Sequence, residues 1–380
     1  MLTREKSAVR AAVDRAADDL VALSTALHAR PETAWEEHHA AATVPELLDR
    51  RGFAVTSAYL GLETAFLARY GSGPLRIALC AEYDALPGLG HACGHNLIAS
   101  SSVGAALGLA EVADELGLTV EVYGTPAEEG GGGKIEMLDR GAFQDVDLAM
   151  MVHPAPVDVA EARPFAVSHS RISYRGRSAH AAAYPEDGVN AADAFTVAQV
   201  AIGLLRQQLP PSSRVHGVVT AAGSAPNAIP EDSSGRWYVR AESLAELAEI
   251  EPKVMRCFEA GALATGCTLE VEAESKPYAE FRTDTATLEH YRANALELGR
   301  EFAPDGLAGR MNRASTDMGN VSQVIPAIHP YIGIGSLPAT NHQREFAAHC
   351  VGPQAERALL DGAIALAWTG VDRAGAEPRP

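Results

Sequence analysis

The chain has 380 residues, 47% hydrophobic and 21% charged, enough apolar material for a sizeable core and, at about 150 residues per domain, for roughly two domains. Its formal net charge of −18 repels phosphate backbones and anionic head groups, which excludes nucleic acid and a membrane surface as expected partners. The first twenty residues alternate charge with alanine and lack the apolar core of a signal peptide, and no run of about 18 apolar residues follows, so a soluble cytoplasmic protein is expected.

Val9, Val13, Ala16, Leu20, Leu23 and Leu27 recur at helical spacing and predict an amphipathic helix over 4–30, with a second over 38–51. RIALCAEYDALPG predicts a buried strand ending in a Pro-Gly turn, and IASSSVGAALGLAEVADELG a helix of small residues packed closely on a neighbour. LTVEVYGTPAEEGGGG reads as a strand that breaks into a glycine loop, GKIEMLDRGAF as a helix, and VDLAMMVHP as a strand ending at His-Pro. Strands alternating with helices, with polar residues gathered where strands end, predict an α/β fold. Its expected form is an open, mostly parallel sheet with helices on both faces and the site at the strand ends.

From about residue 166 the pattern changes to strand, long helix, two strands, long helix and strand. That β-α-β-β-α-β order is the ferredoxin-like signature, so an inserted α+β domain is expected over 166–281. The catalytic domain is then formed by 1–165 and 282–380, with TLEHYRANALELGREFA as a further helix and IPAIHPYIGIG as a strand. The five cysteines, Cys80, Cys93, Cys257, Cys267 and Cys350, lack framework spacing and read as reduced thiols.

Cys93 and His95 in HACGHN stand two apart, so both side chains can project from one face of an extended segment and form half a metal site. A buried thiol beside a capping histidine is the plainer alternative. Glu128 and Glu129 are adjacent at a strand end, where successive side chains point opposite ways. One can hold a metal while the other faces a water; a solvated acidic pair would also account for them. His153 ends the next strand. Together Cys93, His95, Glu129 and His153 are soft and borderline ligands at the ends of consecutive strands, suited to Zn²⁺, Mn²⁺, Ni²⁺ or Co²⁺. Asp84 ends a neighbouring strand and is placed to orient a ligating imidazole through its other nitrogen.

The stretches LHARPETAWEEHHA, AEYDALPGLGHACGHNLIA, TPAEEGGGGK, MMVHP, GRSAHAAAYPEDGVNA, PNAIPE, ASTDMGN and TNHQREF cover nearly the whole chain. In that order they resemble the dinuclear-metal aminoacylase and carboxypeptidase G metallopeptidases, peptidase family M-twenty, in the amidohydrolase branch. The resemblance is to the subgroup containing aminobenzoyl-glutamate hydrolases and β-alanyl-lysine dipeptidase-like proteins. It implies two divalent ions held by Cys93, His95, Glu129, His153 and His342, with the Cys93 thiolate bridging and Glu128 as general base. It further implies that His180, on the inserted domain, stabilises the oxyanion from a partner subunit, that the inserted domain is a lid and dimerisation domain, and that the chain is a homodimer. Asn227 and Arg240 would recognise the carboxylate or carbonyl of the substrate, and Asp317 would line the leaving-group pocket. Asn96 departs from the Asp that many members carry after CGH.

The expected activity is therefore a metal-dependent amidohydrolase or dipeptidase acting on an N-acyl amino acid or small dipeptide-like amide, with aminobenzoyl-glutamate-type hydrolysis as the alternative. Two readings of other classes compete. One is a Cys93-nucleophile amidase with His95 as base, disfavoured because residues so close in sequence rarely reach that geometry. The other is an inactive metal-binding scaffold, disfavoured because none of the expected positions is lost.

Overall fold

The computed structural model describes residues 3–303 and 314–376. Contacts divide the chain into one unit formed by Met1–Pro164 and Phe281–Pro380 and a second formed by Phe165–Glu280.

In chain order the first unit opens with helices α1 (Thr3–Ala29) and α2 (His38–Arg50) and strands β1 (Ala54–Ser57), β2 (Phe66–Tyr70) and β3 (Leu75–Ala81). Helix α3 (His95–Ala110), the short α4 (Ala113–Leu116), β4 (Leu118–Gly124), α5 (Gly133–Asp139), β5 (Leu148–Met150) and β6 (His153–Ala155) follow. The second unit holds β7 (Ala166–Arg175), α6 (Ala191–Leu205), β8 (Arg214–Ala221), β9 (Asp232–Ala241), α7 (Leu244–Thr265) and β10 (Thr268–Ala273). The chain then returns to the first unit with α8 (Thr285–Glu297), α9 (Met318–Ser322), β11 (Ala327–Ile328), β12 (Tyr331–Gly333), α10 (Arg344–His349) and α11 (Pro353–Ala376).

The main sheet runs β1-β2-β4-β3-β5-β11. Its centre, β4-β3-β5-β11, is parallel, and the β1-β2 edge is antiparallel. Alternate residues of β3 serve the two faces, as strand geometry requires. Ile77, Leu79 and Ala81 join the core built with α1, α3, α8 and α11, while Ala78 and Cys80 meet Met137 of α5 and Met318 and Val321 of α9. The α/β sheet with helices on both faces is thus present. Two details differ from the sequence reading. The stretch 54–70 supplies an unforeseen hairpin edge, because its strands are too short to show a clear period. VDLAMMVHP and IPAIHPYIGIG each divide in two: β5 pairs with β3 and β11, whereas β6 pairs with β12 in a separate ribbon. Pro330, which has no N–H to give a ladder, marks the second break.

The second unit is a four-stranded antiparallel sheet in the order β10-β7-β9-β8, packed with α6 and α7 around Tyr174, Phe195, Trp237 and Phe258. The Phe195 and Trp237 rings stack with centroids 5.0 Å apart. This is the ferredoxin-like arrangement, the two helices covering the sheet's apolar face.

Helix α3 is buried along almost its whole length, so its polar side chains must find partners. Asn96 does so completely on its donor side: Nδ2 reaches Ser24 Oγ at 2.9 Å, Ser24 O at 3.4 Å and Cys350 O at 2.9 Å. Two of those partners are carbonyls, which only accept, so an aspartate could not replace the asparagine without leaving buried acceptors facing one another. Asn96→Asp should lower stability by at least about 2 kcal/mol, read from urea unfolding of the metal-free protein. An unchanged midpoint would show that the amide is not needed.

Candidate metal centre

The centre is built where parallel neighbours end together. Ala81 of β3 is level with Gly124 of β4, and Leu79 with Met150 of β5. Thr125 N donates to Ala81 O at 2.9 Å and extends the match by one residue. Just beyond lie Asp84, the Glu128–Glu129 turn and His153, all therefore at one edge. Cys93 and His95 arrive by a different route. Gly94 caps α3 in the left-handed region, φ 80°, and a Cβ there would stand 2.8 Å from the Pro154 ring carbons. Glycine thus lets the Cys93–His95 segment close against the strand that carries His153.

Within this pocket the Cys93 thiol lies 3.6 Å from His153 Nε2 and 3.5 Å from His342 Nε2. Glu129 Oε1 lies 3.8 Å from His95 Nε2 and 3.7 Å from His342 Nε2. Candidate ligand atoms fall into three overlapping triads, Cys93 with His95 and His153, Cys93 with Glu129 and His342, and His95 with Glu128 and Glu129, each within 4.8 Å. Cys93 is common to the first two. His342 adopts a left-handed backbone, φ 69°, its amide held by Ala92 O at 2.8 Å.

Asp84 fixes two of these groups at once. Its Oδ1 pairs with His95 Nδ1 at 3.0 Å and its Oδ2 accepts from Glu129 N at 2.8 Å. His95 Nε2 is thereby turned inward, where it and Glu129 Oε1 are buried without a hydrogen-bond partner. Two buried lone-pair donors facing one another unsatisfied, beside a thiol and two further imidazoles, fit divalent cations of the zinc type. His153 Nδ1 is spent on Pro154 O at 2.9 Å, which likewise leaves Nε2 to face the centre.

Glu128, buried, stands 4.0 Å from His95 Nε2. Asp317 lies beside Lys134. It is fully buried, its Oδ1 2.6 Å from Lys134 Nζ and its Oδ2 accepting from Lys134 N at 2.9 Å, so it holds a buried cation. Lys134 Nζ is also 2.6 Å from Glu82 Oε1, and Glu82 Oε2 is 3.6 Å from His95 Nε2. Glu82 and Lys134 were missed in the sequence, although Glu82 stands two residues before Asp84, at strand spacing, and Lys134 closes the glycine run.

His180, Asn227 and Arg240 belong to the second unit. His180 is exposed, and its Nδ1 accepts from Ala182 N and Ala183 N at 3.3 and 3.1 Å, so Nε2 carries the proton of the neutral ring. Ala181 N donates to Asn227 O at 3.0 Å, which puts His180 and Asn227 side by side. Arg240, on β9, donates from Nε to His216 Nε2 at 3.2 Å. His216 had no role in the sequence reading. Burial, with Arg240 and Arg206 nearby, lowers its proton affinity and keeps it an acceptor.

Residues 78–358 match the model of peptidase family M20/M25/M40. The chain belongs to this family. It is 41% identical over 385 residues to an Xaa-Arg dipeptidase of Mus musculus, covering 98% of this chain and 89% of that one. It is 34% identical over 261 residues to one of the p-aminobenzoyl-glutamate hydrolase polypeptides of Escherichia coli K12, covering 63% and 54% respectively. In fold it is similar to a dinuclear metal-binding M20 peptidase of Bacillus subtilis, with a TM-score of 0.67 at 21% identity over 94% of this chain and 99% of that one. A putative aminohydrolase of methicillin-resistant Staphylococcus aureus gives 0.74 at 19% identity, over 97% and 99%. This M20 chain is a metal-dependent hydrolase of amide bonds.

The electrostatics of the M20 centre follow from its buried carboxylates. Burial, then Glu82 and Glu129, push the Glu128 carboxyl well above its ordinary range. Burial and Glu129 push the Cys93 thiol up, so a thiolate there needs a cation beside it. Burial, with His329 and His95, lowers His153 to about 3 and keeps it a neutral donor of its lone pair. For His95 burial works against the charged ring, but Asp84 outweighs it and raises the proton affinity. Lys134 is likewise raised, Asp317 and Glu82 overcoming burial.

Lys134→Met would leave Glu82 and Asp317 as uncompensated buried charges and should cost about 3–5 kcal/mol, measured by denaturant unfolding; a loss under about 1 kcal/mol would mean that the three groups do not form a charged network. Burial and then Asp84 raise Glu37 to about 7 from 4.5. With the folded value above the unfolded one, its contribution to stability is fully present below about pH 4.5 and is lost as pH rises through about 7. Glu37→Gln should flatten that slope in metal-free protein, followed as Tm against pH.

Proposed function

We propose that this chain cleaves the amide bond of small dipeptides that end in a cationic residue, using two divalent ions and Glu128. The observation that carries the chemistry is the convergence of Cys93, His95, Glu129, His153 and His342 around unpartnered His95 Nε2 and Glu129 Oε1. The substrate class is supported by the 41% identity, over nearly the full length of both chains, to the Xaa-Arg dipeptidase.

In this reading Cys93, His95, Glu129, His153 and His342 would hold the ions, Cys93 belonging to two of the three candidate triads. Zn²⁺, Mn²⁺, Ni²⁺ or Co²⁺ would suit the donors, and when bound they polarise the carbonyl and acidify the attacking water. Asp84 keeps the His95 ring in the tautomer that offers Nε2 inward. Glu128 takes the proton from the water and hands it to the departing nitrogen, so one carboxylate serves as base and then acid. His180, contributed by a partner protomer and with Nδ1 tied to backbone amides, donates from Nε2 to the oxyanion of the tetrahedral state. Arg240, its plane steadied by His216, pairs with the substrate carboxylate, and Asn227 binds the adjoining carbonyl.

The second unit is proposed as a lid and as the surface of a homodimer. Val200 and Leu204 stand 60% and 71% exposed on the outer face of α6, an apolar strip that a second copy would cover. No helix among the described residues is long and apolar enough to cross a membrane, and five free thiols suit the reducing cytoplasm. A second reading, hydrolysis of aminobenzoyl-glutamate, is favoured by the 34% identity to the Escherichia coli hydrolase polypeptide over 63% of this chain.

The test is a panel on metal-stripped protein reloaded with each ion in turn, scoring amine release from Xaa-Arg and β-alanyl-lysine dipeptides, aminobenzoyl-glutamate and N-acyl amino acids. Metal-dependent cleavage of the basic dipeptides is expected, with Glu128→Gln reducing kcat at least about 10²-fold while keeping two ions per chain. Mixing Glu128→Gln with His180→Ala protomers should restore activity. Preference for aminobenzoyl-glutamate would select the second reading, and full activity without ions would overturn both.

A further inference from the structure

Glu37 sits at the N-cap of α2, yet its side chain does not cap the helix. Glu32 does that work, its carboxylate accepting from His39 N at 2.9 Å and from Ala40 N at 3.0 Å. Glu37 is thus released from the usual duty of its position and is spent elsewhere. It is completely buried, and Oε1 accepts from Ala127 N at 2.8 Å across 90 residues of sequence. The hydroxyl of buried Thr64 lies beside it.

Ala127 is the residue that most needs such a hold. Its backbone is left-handed, φ 57°, a conformation that costs a non-glycine residue about 1–2 kcal/mol and persists only where the surroundings impose it. It immediately precedes Glu128, so its φ and ψ set the direction in which that side chain leaves the turn. Glu129 has an anchor of its own, its amide on Asp84 Oδ2. The segment that carries Glu37 also grips the other half of the centre, for Ala85 N donates to Glu32 O at 2.7 Å, one residue after Asp84.

We propose that Glu37 is a positioning residue for hydrolysis, acting through the Ala127 amide to aim the Glu128 carboxylate while leaving the ion ligands in place. The inference rests on the reading of Glu128 as general base. What the role requires is a buried acceptor at Oε1, which glutamine also supplies. Alanine removes it, and aspartate draws it back by one methylene.

The experiment compares Glu37→Gln, Glu37→Asp and Glu37→Ala, each loaded with Zn²⁺, by kcat and KM, by ions bound per chain, and by hydrogen exchange of the Ala127 amide. Glu37→Ala and Glu37→Asp should expose that amide to faster exchange and lower kcat by about 10²-fold, the cost of a misplacement near 1 Å, with KM and ion content close to wild type. Glu37→Gln should restore both exchange protection and kcat. Unchanged kcat in a folded Glu37→Ala protein would overturn the proposal, as would loss of the ions with activity, or a Gln variant as impaired as Ala. Should Glu37→Ala fail to fold, Glu37→Asp decides by the same criteria. A wild-type chain that cleaves nothing in the panel would instead remove the reading of Glu128 on which the proposal stands. An active wild type with indifferent Glu37 variants would sink this proposal alone.

Discussion

The centre depends on the carboxylate of Asp84. One oxygen holds His95 at the start of α3 and the other holds the Glu129 amide after β4, so a single side chain beyond β3 joins three segments of chain. A carboxylate is suited to this because it offers acceptors in two directions. Everything with a lone pair to give is arranged around that junction. His95 can present Nε2 inward only because Nδ1 is already committed, and Glu129 can leave the chain at the right angle only because its own amide is tied.

The centre also concentrates negative charge that the fold must tolerate. Glu82, Asp84, Glu128 and Asp317 are all buried, and Lys134 lies between two of them. Placing an ammonium between two carboxylates inside the protein, and cations among the rest, compensates the cost of removing charge from water. Asp317 and Lys134 therefore belong to the support of the centre. This gives the glycine run before Lys134 a structural purpose: it carries the chain from the Glu128–Glu129 turn directly into the helix that plants Lys134.

Family membership and the donor set converge on the same chemistry from independent directions. Similarity over nearly the whole chain establishes the kind of enzyme, whereas the unsatisfied atoms of His95 and Glu129 show physically why these residues suit a cation. The second unit has its own organisation, in which His216 steadies Arg240 and two backbone amides set the tautomer of His180. These are local devices that give each polar side chain one orientation.

The sequence by itself determined the elements that rest on local pattern. The α1 stripe, the buried strand before Asp84, the β-α-β-β-α-β order of the second unit and the placement of Glu128, Glu129 and His153 just beyond strand ends follow from periodicity and turn chemistry, whereas Cys93 and His95, expected at a strand end, stand at the N-terminus of α3. Such features depend on residues a few positions apart, and a linear reading contains them. The hairpin of β1 and β2, the division of two apolar runs into four strands, the buried setting of Asp317 and the partners of Asn96 and Glu37 were decided only by tertiary structure. The hairpin apart, these join residues tens to hundreds of positions apart, such as Lys134 with Asp317 and Glu37 with Ala127. A carboxylate carries no mark in its own neighbourhood of whether it will meet water, an ammonium or a backbone amide, because that is settled by which distant segment the packing brings against it.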